Sequence, residues 1–150
     1  MLLELERAII DELNKEFTEL NVTVNIYAKP ELRLGTVSSE KLENPVILVE
    51  CDRGEFETNL RSNTVEMVFD WKLTISAPKS FMYVALDRVI FAFSGLYMDT
   101  PYKPQFSVKR FEFIDGRGDD RHQTVEVLLS AVVNSTILRN NKSDVFPYLI

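Results

Sequence analysis

The clearest pattern in this chain is an alternation of apolar and polar residues between positions 65 and 76. The apolar side chains occupy six consecutive odd positions: Val65, Met67, Phe69, Trp71, Leu73 and Ile75. Most of the residues between them are polar. Because successive side chains of a strand point to opposite faces of a sheet, the pattern predicts one long strand with a buried odd face. Residues 77–80 then end this strand before a helical pattern begins.

Two segments have the residue spacing of helices. In residues 2–20, apolar positions recur at steps of three and four with acidic residues between them, which predicts an amphipathic helix with an acidic outer face. A second helix is predicted over residues 81–98, with Ser80 as its N-cap. This second helix is apolar almost all round, so it must be covered on more than one side. The sheet can cover one side, and a neighbouring subunit is a candidate for the rest.

The first half of the chain also predicts two short strands and two long loops. Residues 22–27 alternate as a short strand, and residues 46–49 form the continuous apolar run of an inner strand. Polar stretches over residues 28–44 and 52–64 predict long projecting loops, which in compact domains usually have a function.

The second half predicts a hairpin followed by a tail. The apolar positions of a strand over residues 106–113 change phase midway, which predicts a β-bulge near Lys109 and Arg110. A turn at residues 115–120 leads into a last alternating strand over residues 125–133.

This element order predicts an α+β fold. We expect a largely antiparallel β-sheet with two main helices packed against it, a β-hairpin near the C-terminus and an extended C-terminal tail. A chain of 150 residues is long enough for one core, so residues 1–139 are predicted to form a single domain and residues 140–150 a tail or arm.

The charge of the chain argues against one class of function. A formal net charge of -6 disfavours tight non-specific binding to nucleic acid, because phosphates require clustered lysine and arginine. The acidic first residues differ from a secretory signal, so an intracellular start is expected. No apolar run reaches the ~18 residues of a membrane-spanning helix, and no membrane association is predicted.

Candidate catalytic chemistry is sparse. A nucleophile arrangement of Cys51, His122 and Asp120 has the required residue types, since a thiolate needs a base and the base an orienting carboxylate. However, Cys51 follows an apolar strand, where cysteine commonly behaves as a small core residue. The sequence therefore favours a protein without catalytic residues.

Two ligand-binding alternatives centre on the predicted hairpin. Asp115, Asp119, Asp120 and His122 could ligate a hard cation, but they lack the spacing of a calcium loop, and a solvated turn is favoured. A second alternative is a DNA-phosphate site whose members are all basic: Lys103, Lys109, Arg110, Arg117 and Arg121. Neighbouring acidic residues cancel most of this positive charge, so neither a metal, a cofactor nor bound DNA is expected.

The remaining features favour assembly. The apolar second helix, the long polar loops and the apolar end of the chain are explained if other copies complete the surface. The alternative is a monomer whose tail packs on its own core. The candidate interface residues are Phe91, Arg110, Arg117, Val145, Phe146, Tyr148, Leu149 and Ile150.

The layout of residues 2–133 also matches a known order of elements. It consists of an acidic amphipathic helix, a strand and long loop, a short buried strand after Asn44-Pro45, a long alternating strand ending in Ala77-Pro78, a very apolar helix and a hairpin. In this order the chain resembles the phage tail terminator, or tail-completion, family of the minor tail protein U type and its prophage relatives. Members of that family are α+β subunits that close into a ring, usually of six, and cap the tail tube.

The resemblance implies a structural virion protein, made in the host cytoplasm and located in the tail or neck. Its expected partners are further copies of itself, the tail tube protein and the head or neck connector protein. DNA is expected to pass through the lumen without specific binding, because like charges repel. The alternatives are another neck or head–tail adaptor protein, or a small cytoplasmic ligand-binding domain or enzyme.

Overall fold

The computed structural model describes residues 1–29, 45–59, 64–100, 102–114 and 122–134. Its elements in chain order are α1 (Leu2–Glu19), β1 (Asn25–Ala28), β2 (Val46–Asn59), β3 (Thr64–Pro78), α2 (Lys79–Phe93), β4 (Gln105–Ile114) and β5 (His122–Asn134). The predicted α+β fold is confirmed, because the described residues form two helices and a mostly antiparallel sheet. The predicted turn at residues 115–120 and the predicted tail at residues 140–150 lie outside the described residues.

The sheet is built around β3. Its five strands have the order β1-β2-β3-β5-β4, in which β1 runs parallel to β2 and every other pair is antiparallel. On β3, Trp71 lies opposite Cys51 of β2 and Leu129 of β5. The predicted odd face is confirmed, because its described members are all buried: Met67, Phe69, Trp71, Leu73 and Ile75.

Both helices pack against this apolar face. The predicted amphipathic helix α1 buries one side at steps of four residues: Leu5, Ile9, Leu13 and Phe17. It contacts β1, β2 and α2, whereas α2 contacts β3, β4 and β5. Arg88 of α2 lies 3.6 Å from Glu16 of α1, and the Phe17 and Phe81 rings are 6.4 Å apart. Thus α1, as well as the sheet, covers part of the apolar surface of α2.

The bounds of α2 differ from the prediction. The helix begins at Lys79 after Pro78, which has φ −56° and makes no side-chain capping hydrogen bond, so Ser80 is not the N-cap. Proline fits here because its φ is already fixed near the helical value. The helix ends at Phe93 rather than at residue 98, and Gly95 follows with a φ of 70°. Glycine adopts this left-handed conformation without strain. The helix therefore ends before Gly95, although the apolar run continues beyond it.

Two predicted boundaries in the first half are also wrong. Most of the loop predicted over residues 52–64 is strand, because β2 continues to Asn59 and pairs along the first half of β3. The sequence hid this extension because Phe56 is the one large apolar residue among charged neighbours there, and both sides of the strand are exposed. The short strand predicted at residues 22–27 begins three residues later and ends one residue later, as β1 (Asn25–Ala28).

Two β-bulges lie at the same level of the sheet, in the two strands that flank the β3–β5 pair. The predicted bulge is confirmed between Val108 and Arg110 of β4. A second bulge, not predicted, lies between Cys51 and Arg53 of β2. Each bulge adds one residue, Lys109 or Asp52, and so resets which positions face the helices. After the bulge in β4, Phe111 and Phe113 lie on the helix side, opposite Val127 and Val125.

Candidate interaction surfaces

The face of the sheet opposite the helices carries a row of alternating charges. Glu50 of β2 lies directly opposite Lys72 of β3, and Glu126 of β5 lies diagonally from Lys72, opposite Thr74. Lys72 Nζ is 3.9 Å from Glu50 Oε1 and 4.0 Å from Glu126 Oε1, and Lys29 Nζ is 2.9 Å from Glu50 Oε1. These partly exposed pairs each contribute little to stability, but they hold the side chains in a fixed order across the strands.

Asp70 forms the centre of a tighter cluster on the same face. Its side chain is 7% exposed, and it lies between the two bulges. Lys109 Nζ approaches Asp70 Oδ1 at 2.9 Å, and Arg53 Nε donates to Oδ2 at 3.3 Å. Two cations, one from β2 and one from β4, therefore neutralise a buried carboxylate, as a buried charge requires.

A charged depression surrounds this cluster. It has a volume of about 340 Å³ and is lined by Asp52, Arg53, Asp70, Lys109, Arg110 and Leu128. A neighbouring cleft of about 140 Å³ shares Asp52 and Arg110 and is also lined by Lys72, Glu112 and Glu126. Because the cations here alternate with carboxylates, and Lys109 is paired with Asp70, the surface lacks the unbroken positive charge that binds a phosphate backbone.

The helix side carries the second surface, which consists of exposed aromatic rings. Tyr83 is 71% exposed and packs edge-on against Phe113, which in turn packs against Phe111. We call these three residues the aromatic surface. Phe91, two turns further along α2, is 81% exposed. The sequence assigned the phenylalanines to a strand pattern but held no signal for their exposure, which depends on where α2 stops covering the sheet.

The structure places two of the predicted interface residues. Phe91 projects from the exposed side of α2, and Arg110 is exposed on β4 directly after the bulge. These two lie on different faces. The other predicted candidates lie outside the described residues: Arg117, Val145, Phe146, Tyr148, Leu149 and Ile150.

The structure does not bring Cys51 and His122 together. Cys51 pairs opposite Trp71 and His122 opposite Pro78, seven residues further along β3, a separation of about 23 Å at 3.3 Å per residue. Cys51 is exposed rather than part of the core. Desolvation, followed by the Asp52, Asp70 and Glu6 carboxylates, raises the pKa of the Cys51 thiol. A raised pKa lowers the thiolate fraction near neutral pH, which is the opposite of what a nucleophilic cysteine needs.

Two further features were sought in the described residues. No group of three or more histidine, cysteine, aspartate or glutamate side chains is placed there to hold a metal ion. Asp115, Asp119 and Asp120 of the predicted turn are not among those residues. None of the helices described is long and apolar enough to cross a membrane.

Over the residues that the structure describes, the chain is an α+β protein with two helices on one side of a five-stranded sheet and a charged face on the other. Comparison with known proteins adds no relative: no family model matches the chain, and no curated protein matches its sequence.

Proposed function

We propose that this chain is a structural assembly protein that forms a ring and acts as a phage tail terminator. In this role it caps the tail tube and joins it to the head or neck connector, within the tail or neck of the virion. The order of elements supports the proposal, since an acidic helix, a long strand ending in Ala77-Pro78, an apolar helix and a terminal strand pair follow one another as the resemblance implies.

The observation that carries the proposal is the exposure of large aromatic side chains on α2 and β4. Tyr83, Phe91, Phe111 and Phe113 are all at least 40% exposed. Exposed aromatic rings that pack against one another are typical of protein–protein interfaces, where buried aromatic residues supply much of the binding energy. A subunit that remained alone would leave this surface in water.

The charges of the chain suit a ring around DNA. The net charge is -6, and on the sheet face opposite the helices Lys72, Arg53 and Lys109 each lie within 4.0 Å of a carboxylate oxygen. A lumen lined in this way lets DNA pass without retaining it, because its phosphates meet no unpaired basic patch. A neck or head–tail adaptor is the closest alternative, since it would use the same type of surface against a different neighbour.

The first test is the mass of the full chain in solution, measured by light scattering after size exclusion. We expect a ring with a mass several times the 17.3 kDa of one chain, six times if the family number holds. Phe91→Asp should reduce this mass because a charge cannot be buried unpaired in an apolar interface. Leu3→Asp is the matched control, since it places the same charge at an exposed apolar position of α1.

The second test concerns the virion. Deleting the gene from its viral genome should give tails of abnormal length in electron micrographs, and the wild-type gene should restore normal length. Tails of normal length that fail to join heads would favour the adaptor instead. A chain that stays monomeric at high concentration and leaves the virion unchanged would contradict the proposal altogether.

A further inference from the structure

Two strands of the sheet have long free edges. β1 pairs only with the first four residues of β2, so β2 from Arg53 onward has no second neighbour in the described part of the chain. On the other side, the segment around Tyr97 covers only the start of β4, where Tyr97 bridges to Gln105 and Phe106 N–H donates to Leu96 C=O. From Ser107 onward, β4 has no second neighbour among the residues that the structure describes. Free edges present unpaired backbone N–H and C=O groups, and proteins that remain monomeric usually block them.

Along both free edges, the side chains on the two faces of the strand are exposed. Every residue from 51 to 57 on β2 is exposed, as is every residue from 109 to 113 on β4. On the helix side, Phe56 is 68% exposed and Phe111 is 46% exposed. Each edge therefore offers an aromatic ring beside its backbone groups.

The charges of the two edges are complementary. On β2, Glu57 lies directly opposite Glu66 of β3, and both are exposed. Like charges directly opposite each other destabilise a strand pair, and within the described residues no cation pairs with either carboxylate. On β4, Arg110 is exposed and forms no ion pair with any described residue. One edge thus has an unneutralised acidic pair and the other an unpaired cation.

We propose that the free edge of β4 pairs with the free edge of β2 in a second copy of this chain. An antiparallel register that places Arg110 opposite Glu57 also places Phe111 opposite Phe56 and Glu112 opposite Glu55. Arg53 lies 2.7 Å from Glu55 and offsets the charge of this second acidic pair. Opposite residues of a strand pair share a face, so the guanidinium meets the Glu57/Glu66 pair on the open side and the two rings meet on the helix side.

The strand directions make this contact head-to-tail. β3 is antiparallel to β2 and β5, and β4 is antiparallel to β5, so β4 and β2 run in opposite directions within one subunit. Two copies in the same orientation therefore meet with antiparallel edges. A contact between two different surfaces repeats from copy to copy, and it closes into a ring when the rotation allows.

The inference rests on the proposed ring, and charge reversal tests it separately. Arg110→Glu alone, and Glu57→Arg with Glu66→Arg, should each weaken association of the full chain by roughly tenfold or more. The triple variant Arg110→Glu/Glu57→Arg/Glu66→Arg restores opposite charges and should regain the wild-type mass in sedimentation. Lys79→Glu and Asp11→Arg, which reverse exposed charges on the helices, are the matched controls and should leave the mass unchanged. Circular dichroism melts establish that each variant folds.

The outcomes separate the two proposals. A wild-type oligomer that survives both reversals overturns the edge pairing and leaves the proposed ring intact. An oligomer lost with Arg110→Glu, kept with the β2 reversals and not regained in the triple variant indicates a β4–β4 contact and also overturns it. A monomeric wild-type chain contradicts both. Loss in the two partial variants with recovery in the triple variant establishes the contact.

Discussion

Trp71 and Asp70 are neighbours on β3 that lie on opposite faces of the sheet, and each has a buried polar group. Trp71 is 1% exposed on the helix side, and its Nε1–H has no hydrogen-bond partner among the described residues. Asp70 points to the other face, where Lys109 and Arg53 approach it. An unpaired buried donor costs stability, whereas a paired carboxylate offsets its own desolvation. At the scale of single residues, Trp71 is therefore held by packing and Asp70 by charge.

Substitutions of Trp71 separate packing from its unpaired donor. Trp71→Ala should lower the free energy of unfolding by about 3–5 kcal/mol, because it leaves a large cavity in the core. Trp71→Phe should cost much less, since most of the ring is kept and the unpaired N–H is removed. Urea denaturation followed by circular dichroism measures both.

The wild-type protein provides the check on this prediction. Its single tryptophan should emit at shorter wavelength than tryptophan in water and should resist quenching by acrylamide. Emission typical of an exposed indole would contradict the assigned face of β3.

At the scale of elements, the two bulges decide which side chains reach which face. If Lys109 paired regularly in β4 instead of forming a bulge, Phe111 and Phe113 would alternate onto the charged face, since one residue of shift reverses every side chain. With the bulge, they lie beside Tyr83 of α2. The bulge in β2 likewise brings Arg53 to the open face, opposite Asp70. The bulges therefore create both the aromatic surface and the cluster around Asp70.

Removing one residue tests the role of the bulge in β4. Deletion of Lys109 joins Val108 directly to Arg110 in regular alternation, so Phe111 and Phe113 should stay opposite Val127 and Val125 and keep their apolar burial. Lys109→Ala keeps the bulge and loses the same ion pair with Asp70, so the two changes should lower the unfolding midpoint by similar amounts. A much larger effect of the deletion would show that the added residue itself, and not only its charge, stabilises this part of the sheet.

At the scale of the whole molecule, the two sides of the sheet differ in what they can bind. The side of the sheet that carries the helices presents exposed aromatic rings, while the opposite side carries paired charges around Asp70. Apolar contacts give affinity without direction, whereas charged rows fix register and reject wrong neighbours. The proposed role, in which a subunit joins copies of itself and then stops a growing tube, requires both kinds of surface.

A prediction for the apolar residues 146–150 also concerns the whole molecule, because it tests whether they take part in assembly. Burying the apolar side chains of residues 146–150 at about 1.5–3 kcal/mol each only narrowly exceeds the ordering cost of a short tail. Deleting these residues should therefore leave thermal unfolding of the subunit nearly unchanged but weaken the oligomer in sedimentation. A large fall in melting temperature with an unaltered oligomer would indicate instead that the tail belongs to its own core.

The sequence by itself determined those features that depend on local spacing. Helix α1, the buried face of β3 and the bulge at Lys109 follow from the period of apolar positions, because a helix and a strand bury different repeats. The period also identified α2, although Gly95 ends it earlier than the apolar run suggests. These features needed no knowledge of distant residues.

Tertiary structure alone decided the rest. The extension of β2 is exposed on both faces, so it has no apolar period and exists only because β3 pairs along it. Three further features depend on which strands become neighbours and where the helices end. They are the parallel pairing of β1, the approach of Lys109 and Arg53 to Asp70, and the exposure of Phe111. Such contacts join residues far apart in the chain, and a local pattern carries no record of them.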